Sequence, residues 1–515
     1  MSQFLRASLF LVALSSLPAV AEKPRLAVVV VVDQLSAEAF RARLPKTTGG
    51  IKRLAAEGLV FDEARYEAAP TVTSVGHATI VTGAYGEVHG IVGNEWYEGD
   101  TGKPRLSTED ATYQVIGREP QVRDGTAPSW LRAPTLADSV KLSNEAAKAI
   151  SISAKDRSGI IMAGRAGTAV WFDAEKPMFV TSTFYGKELP GWVTPTNEKL
   201  AKMVLSGALA WGLPGGGVTG KSPSLPAPSG RVGDSEPFAE RPEIQATIDA
   251  AEIDVALDAV KQLELGKDEV PDLLEVSFSG HDRIGHEFGP DSPEALKEFL
   301  AVDRELGRLL EGLDALVGKG KYVVAFTSDH GVCPMPEVSK ARGLDSGRVD
   351  TRKLGAALKA ELDSALGPGD WFVGYKTPGF VINPKLRAKV PAVFERLRTV
   401  ALAQPGVADL LWSPNLTHPS NSTEVFWQRG YVPGRTADLI VVTRPFWSYG
   451  LGDHTGHASA YLYDRAVPLM FFGGDIKKGQ GGSAEVIDLA PTLARLINVP
   501  VPAAARGHAI DAVFR

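Results

Sequence analysis

Leu26-Ala27-Val28-Val29-Val30-Val31-Val32 is an unbroken apolar run that ends at Asp33. A continuous β-branched run predicts a central strand buried on both faces, the pattern of parallel sheets covered by helices. Comparable runs recur at Leu273 to Phe278, Tyr322 to Phe326, Leu439 to Val442 and Leu469 to Phe472. Helical patterns lie between them. Ile244, Ile248, Val255 and Leu263 keep helical spacing, and Ser292-Pro293 caps a segment carrying Leu296, Phe299, Leu306, Leu309 and Leu313. Strand–helix alternation predicts an α/β fold: a mostly parallel central sheet flanked by helices.

Apolar residues at 44% and charged residues at 23% exclude a disordered or fibrous chain. The net charge of −6 gives no global reason to bind nucleic acid. Residues 1–21 read as a secretory signal peptide: Arg6 supplies the positive start, Leu9 to Leu14 the apolar run, and Ala19-Val20-Ala21 the cleavage site. No later stretch is long and apolar enough to span a membrane. One cysteine, Cys333, allows no intrachain disulfide, and an exported chain with one thiol fits a bacterial periplasm or exterior. Residues 22–515 then form one domain. Cap insertions are expected near 96–130 and 335–436, and a Gly/Pro-rich loop at 213–243.

Several predicted strands end in chemically capable residues. The first ends at Asp33, the Leu273 strand leads to His281-Asp282, and the Tyr322 strand ends in Thr327-Ser328-Asp329-His330. In open α/β sheets the ligand site lies beyond the carboxyl ends of the strands. Asp282 and His286, four apart, can face one metal from a helical turn. Asp329 and His330 are adjacent, and Gly331 permits the bend a shared metal needs. With Asp33 and a late histidine, His457, six carboxylate and imidazole ligands are available, enough for two ions. Such mixed ligation suits zinc, manganese or iron and argues against calcium.

A second segment runs Pro70-Thr71-Val72-Thr73-Ser74-Val75-Gly76-His77, then Val81-Thr82-Gly83 and His89-Gly90-Ile91-Val92-Gly93-Asn94. The Thr and Ser residues can simply cap a helix. The same geometry offers free N–H groups and a positive dipole end to an anion, and Asn94 could add an amide donor.

Together these motifs resemble the alkaline phosphatase superfamily. T-x-T-x-x-x-H, V-T-G, H-G-I-x-G-N, Asp282-x-x-Gly-His286, Thr-Ser-Asp329-His330-Gly331 and the closing Val486-Ile487-Asp488-Leu489-Ala490-Pro491-Thr492-Leu493 occur in the family's order. The likeness runs from about Ala27 to Pro500 and is to the branch of nucleotide pyrophosphatase/phosphodiesterases and monomeric bacterial alkaline phosphatases. It implies an alkaline phosphatase-like fold with Thr73 as nucleophile, because Thr73 stands 21 residues before the phosphate-binding Asn94. It implies one metal held by Asp282, His286 and His457. It implies a second held by Asp33, Asp329 and His330 that also binds the Thr73 oxygen, both ions being zinc. His454 is the alternative to His457, and Tyr463-Asp464-x-x-Val467-Pro468-Leu469 favours His457.

Lys155-Asp156-Arg157 is similar to the Lys-x-Arg pair of the monomeric phosphatases. If the segment continues the strand Ala149 to Ser153, residues two apart face one side and both cations reach one pocket. A phosphate monoester dianion needs that charge and a diester does not. The implied reaction is monoester hydrolysis through phosphothreonine. Asn94, the backbone N–H of Ser74, Lys155 and Arg157 would hold the phosphoryl oxygens. The implied protein is an exported monomer acting on small-molecule phosphate monoesters, with no specific nucleic-acid partner. A phosphodiesterase on the same scaffold is the alternative, and a non-catalytic phosphate binder a remote one. The sequence disfavours a sulfatase, because Cys333-Pro334-Met335-Pro336-Glu337 is not a C/S-x-P-x-R context.

Overall fold

The structure, a computed structural model, describes residues 23–119, 125–206, 241–450 and 455–514. The signal-peptide segment, most of the 213–243 loop and His454 lie outside the described residues.

The Val-rich run is the strand Leu26–Val32, and every residue in it is buried. It pairs in parallel with Tyr322–Thr327 on one side and Asp272–Phe278 on the other. Its alternate residues enter two different cores. Val28, Val30 and Val32 pack with Phe299, Leu306 and Leu309. Ala27, Val29 and Val31 pack with Ala78, Ile80 and Leu493. Two buried faces explain why the run has no polar alternation.

Five parallel strands form the centre of an eleven-stranded sheet, in the order Tyr322–Thr327, Leu26–Val32, Asp272–Phe278, Ala149–Ser153, Thr168–Phe172. Antiparallel strands flank them: Ala466–Gly473 and Leu59–Arg65 at one side, Phe179–Ser182 at the other. At the far edge the short strands Gly479–Gln480 and Ala484–Glu485 pair with Leu59–Arg65 in parallel, so the sheet is mixed around its parallel centre. The Leu439 run belongs elsewhere. Leu439–Thr443 sits inside a separate four-stranded antiparallel sheet with Phe372–Lys376, Gly379–Ile382 and Val407–Trp412. That sheet packs on its own core of Leu354, Leu358, Leu362, Trp371 and Leu397. A buried apolar run does not reveal which sheet it joins, because burial by a small satellite core looks the same in sequence.

Helices Gln245–Gln262 and Pro293–Leu313 cover one face of the sheet. They meet at a buried carboxyl pair, Asp249 and Glu298. The pair abuts Gly280, where a Cβ would lie 2.4 Å from Glu298 Oε1 and 3.0 Å from Asp249 Oδ2. Burial is the largest cause pushing the Glu298 carboxyl up, to about 7, and burial then Glu298 hold Asp249 well above the usual range. A folded-state pKa above the unfolded value means that the native state binds the extra proton. The pair's contribution to stability is therefore present below about pH 4.5 and is lost as pH rises toward about 7. Glu298→Gln replaces the titrating carboxyl with an amide that stays neutral at every pH. Relative to the unaltered chain, its melting temperature should fall less between about pH 5 and about pH 8. Identical slopes in the two proteins would contradict this reading.

Candidate active site

The polar residues that follow the central strands converge at one end of the sheet. Asp33 follows Val32, whose register partner is Phe278. Asp282 lies in the first turn of the helix Gly280–Phe288, and His286 lies one turn later. His286 Nε2 is 3.1 Å from Asp282 Oδ1. Asp329 and His330 follow Tyr322–Thr327. His457 enters from the segment before Ala466–Gly473, and its ring stacks on His330 with centroids 3.7 Å apart.

Two groups have ligand atoms within 4.8 Å of one another: Asp282, His330 and His457, and Asp33, Asp329 and His330. His330 lies between them and belongs to both. His286 stands beside the first group, its ring 5.2 Å from that of His457. The three histidines are oriented alike. Nδ1 of His286 is 2.8 Å from the Thr455 carbonyl, Nδ1 of His330 is 2.8 Å from that of Gly331, and Nδ1 of His457 is 2.7 Å from that of Thr71. A carbonyl only accepts, so each Nδ1 carries a proton and each Nε2 is the nitrogen left for the site. Asp33 Oδ1, Asp329 Oδ2 and His330 Nε2 are buried without a hydrogen-bond partner among the described residues. Convergent acceptors with no donor fit a bound cation, which would remove the desolvation cost.

The charges agree. Burial, then the neighbouring Asp282 and Asp329, push the Asp33 carboxyl up to about 6. Burial also opposes ionisation of Asp282, but Lys155 and then His286 hold it well below the usual range. Asp329 is likewise lowered against burial, by His330 and His77. Burial, then His330 and His286, lower His457, which keeps its ring neutral.

Thr73 is the first residue of the buried helix Thr73–Thr82. The position before it is Val72, and no side chain caps the helix, so neither Thr71 nor Thr73 serves as a cap. Thr71 has another task. Its hydroxyl donates to the Ser459 carbonyl at 2.9 Å, and its own carbonyl receives His457 Nδ1–H. His77, one turn into the helix, donates through Nδ1 to the Thr73 carbonyl at 2.8 Å, and its Nε2 meets Ser277 Oγ at 2.7 Å. The helix presses against the ligand loop at Gly76, where a Cβ would lie 2.1 Å from the Asp329 carbonyl oxygen.

Two expectations need correction. The Ser74 N–H is not available to an anion, because it donates to Asn94 Oδ1 at 2.9 Å. It orients the Asn94 amide instead. Lys155 and Arg157 do not share a strand face. The strand ends at Ser153, Lys155 is the residue before the helix Asp156–Ala163, and Arg157 lies in its first turn. Lys155 Nζ is buried 2.5 Å from both Asp33 Oδ2 and Asp282 Oδ2. Arg157 is partly exposed, with Nη1 3.8 Å from Asp156 Oδ1. The two still line one cavity of about 250 Å³ with Thr108, Trp171 and Arg283.

Sequence reasoning missed the supports. His281 donates from Nδ1 to the Asp33 carbonyl at 3.0 Å, and Arg43 Nη1 donates to its Nε2 at 2.7 Å. Burial, then Arg43, lowers the His281 pKa to about 3, so it is a neutral strut. Cys333 is buried, and burial pushes its thiol up, which leaves it no nucleophilic part.

The family profile described as type I phosphodiesterase / nucleotide pyrophosphatase matches residues 27–465. The chain belongs to this family. The family match spans both ligand groups and the Thr73 helix. Alkaline phosphatase PafA of Elizabethkingia meningoseptica is 30% identical over 96% of this chain and 95% of its own. A protein of Myroides odoratus named calcium-transporting ATPase is 29% identical over 93% of each chain. A crystal structure of wild-type alkaline phosphatase PafA superposes with a TM-score of 0.86 at 28% identity, covering 96% of this chain and 99% of that one. No helix among the described residues is long and apolar enough to cross a membrane.

Proposed function

We propose that this chain is an alkaline phosphatase that hydrolyses phosphate monoesters through a phosphothreonine at Thr73. The observation that carries the reading is Lys155. A buried cation that straddles Asp33 and Asp282, with Arg157 on the same cavity, supplies the charge a monoester dianion requires. The likeness to PafA over nearly the whole chain supports the same activity.

The residues divide the work. Asn94, oriented by the Ser74 N–H, turns its amide donor toward a phosphoryl oxygen. Arg157 binds a second oxygen, and Lys155 adds positive charge beside it. The Thr73 oxygen, at the positive end of its helix, forms a bond to phosphorus as the bond to the leaving oxygen breaks, giving phosphothreonine and the free alcohol. Water then breaks the threonine–phosphorus bond and releases phosphate, so two displacements give net retention. Two zinc ions would be held by Asp282, His286 and His457 and by Asp33, Asp329 and His330. When bound they supply the charge that favours an ionised threonine and a departing oxygen.

The reading places residues 22–515 in one exported catalytic unit that acts as a periplasmic or secreted monomer, with caps near 96–130 and 335–436. A phosphodiesterase is the second reading, favoured by the description of the matched family. The test of the first is acid quenching during turnover of an aryl phosphate, followed by peptide mapping. Phosphate on the Thr73 peptide is expected; phosphate on another residue, or none under burst conditions, would overturn it.

A further inference from the structure

Gln34 follows the ligand Asp33 and is fully buried. Its φ of 67° lies in the left-handed region that side chains other than glycine rarely adopt. Two hydrogen bonds hold it there. Its backbone N–H donates to Asp329 Oδ1 at 3.1 Å, and its side-chain Nε2 donates to Asp282 Oδ1 at 2.7 Å. Asp329 Oδ1 also accepts the His330 N–H, so Oδ2 is the oxygen left facing the centre. Asp282 Oδ1 is the oxygen that faces His286 and His457, at 3.1 and 3.9 Å. One residue thus holds a carboxylate in each ligand group, through its main chain in one and its side chain in the other.

The opposite wall is built to admit it. A Cβ at Gly285 would lie 1.9 Å from Gln34 Oε1, and the three nearest side-chain atoms around that point all belong to Gln34. Gly285 sits between Asp282 and His286 on their helix, so the space is made within the ligand element itself.

We propose that Gln34 is a positioning residue that aims Asp282 and Asp329 at two adjacent cations, through one independent arm for each. The inference rests on the two-cation reading above. An amide suits the task because it donates at any pH and adds no charge to a pocket holding three carboxylates. A strained backbone kept at a buried site by two ligand contacts points to the same role.

Gln34→Gly separates the two arms. Glycine adopts φ near +67° freely and keeps the N–H to Asp329, while the donor to Asp282 is lost. Zinc binding would be measured by competition with a chromophoric chelator, with His286→Gln identifying the phase that belongs to the Asp282 site. In Gln34→Gly that phase should weaken about 10- to 100-fold, and the other should change by less than about threefold. Gly285→Ala, which displaces the Gln34 amide with Gln34 still present, should weaken the same phase. Added to Gln34→Gly it should have little further effect, since the nearest atoms it would strike are gone. Two ions in the unaltered chain with both phases unchanged in Gln34→Gly, equal weakening of both phases, or additive effects of the two substitutions would overturn the inference. An unaltered chain that does not hold two ions would overturn the two-cation reading as well, and so separates the two failures.

Discussion

Thr73→Ala should lower kcat/KM for an aryl phosphate by at least about 10³-fold, because removing a covalent nucleophile leaves only binding and electrostatic catalysis. The substitution removes one hydroxyl from the start of a buried helix and leaves the contacts His77–Ser277 and Gly76–Asp329 in place. Zinc content should therefore fall little, and the acid-stable phosphopeptide should vanish. Thr71→Ala provides the contrast. Thr71 holds the Ser459 carbonyl through its hydroxyl but supports His457 through its main chain, so the variant should keep phosphoenzyme formation. Undiminished turnover with a trapped phosphoenzyme in Thr73→Ala would remove Thr73 from the reaction.

Lys155→Ala should have the second-largest effect, and on two quantities at once. Nζ is the only cation within hydrogen-bond distance of both Asp33 and Asp282 among the described residues, and its side chain is 2% exposed. Removing one partner of such a buried arrangement costs on the order of 3–5 kcal/mol. The metal-free variant should therefore unfold at clearly lower denaturant than the metal-free parent, and zinc should restore most of the difference by supplying the missing charge. Turnover of a monoester should fall about 10²-fold or more, since the lost interaction is with charge on the transferring group. Arg157→Ala should reduce the same turnover with little change in stability, because Arg157 is partly exposed and its nearest carboxylate, Asp156, is 3.8 Å away. Equal destabilisation by the two substitutions would contradict the separate roles given to them.

The central strand and the ligand positions were legible because they rest on local chemistry. An unbroken run from Leu26 to Val32 has to be covered on both faces, and polar residues just after such strands have one end of the sheet to share. Asp282 and His286 needed only helical spacing. What was not legible depends on where the chain turns. The strand argument for Lys155 and Arg157 failed because Ser153 ends the strand and a helix begins three residues on, and that turn brings Lys155 between two distant carboxylates. The use of the Ser74 N–H by Asn94 is a contact across 20 residues and leaves no trace in either residue's type. Gln34 carries the same lesson: its two partners lie 248 and 295 residues away. The Leu439 strand shows that an apolar run announces burial without naming the core that buries it.

The measurement that bears most directly on the account is kcat/KM of the zinc-loaded protein for an aryl phosphate monoester and for its methyl diester with the same leaving group. A strong monoester preference is expected, and it should collapse in the Lys155→Ala/Arg157→Ala double variant, because only the dianion uses that charge. A diester preference, or a monoester preference indifferent to both cations, would contradict it and place the activity with phosphodiesterases.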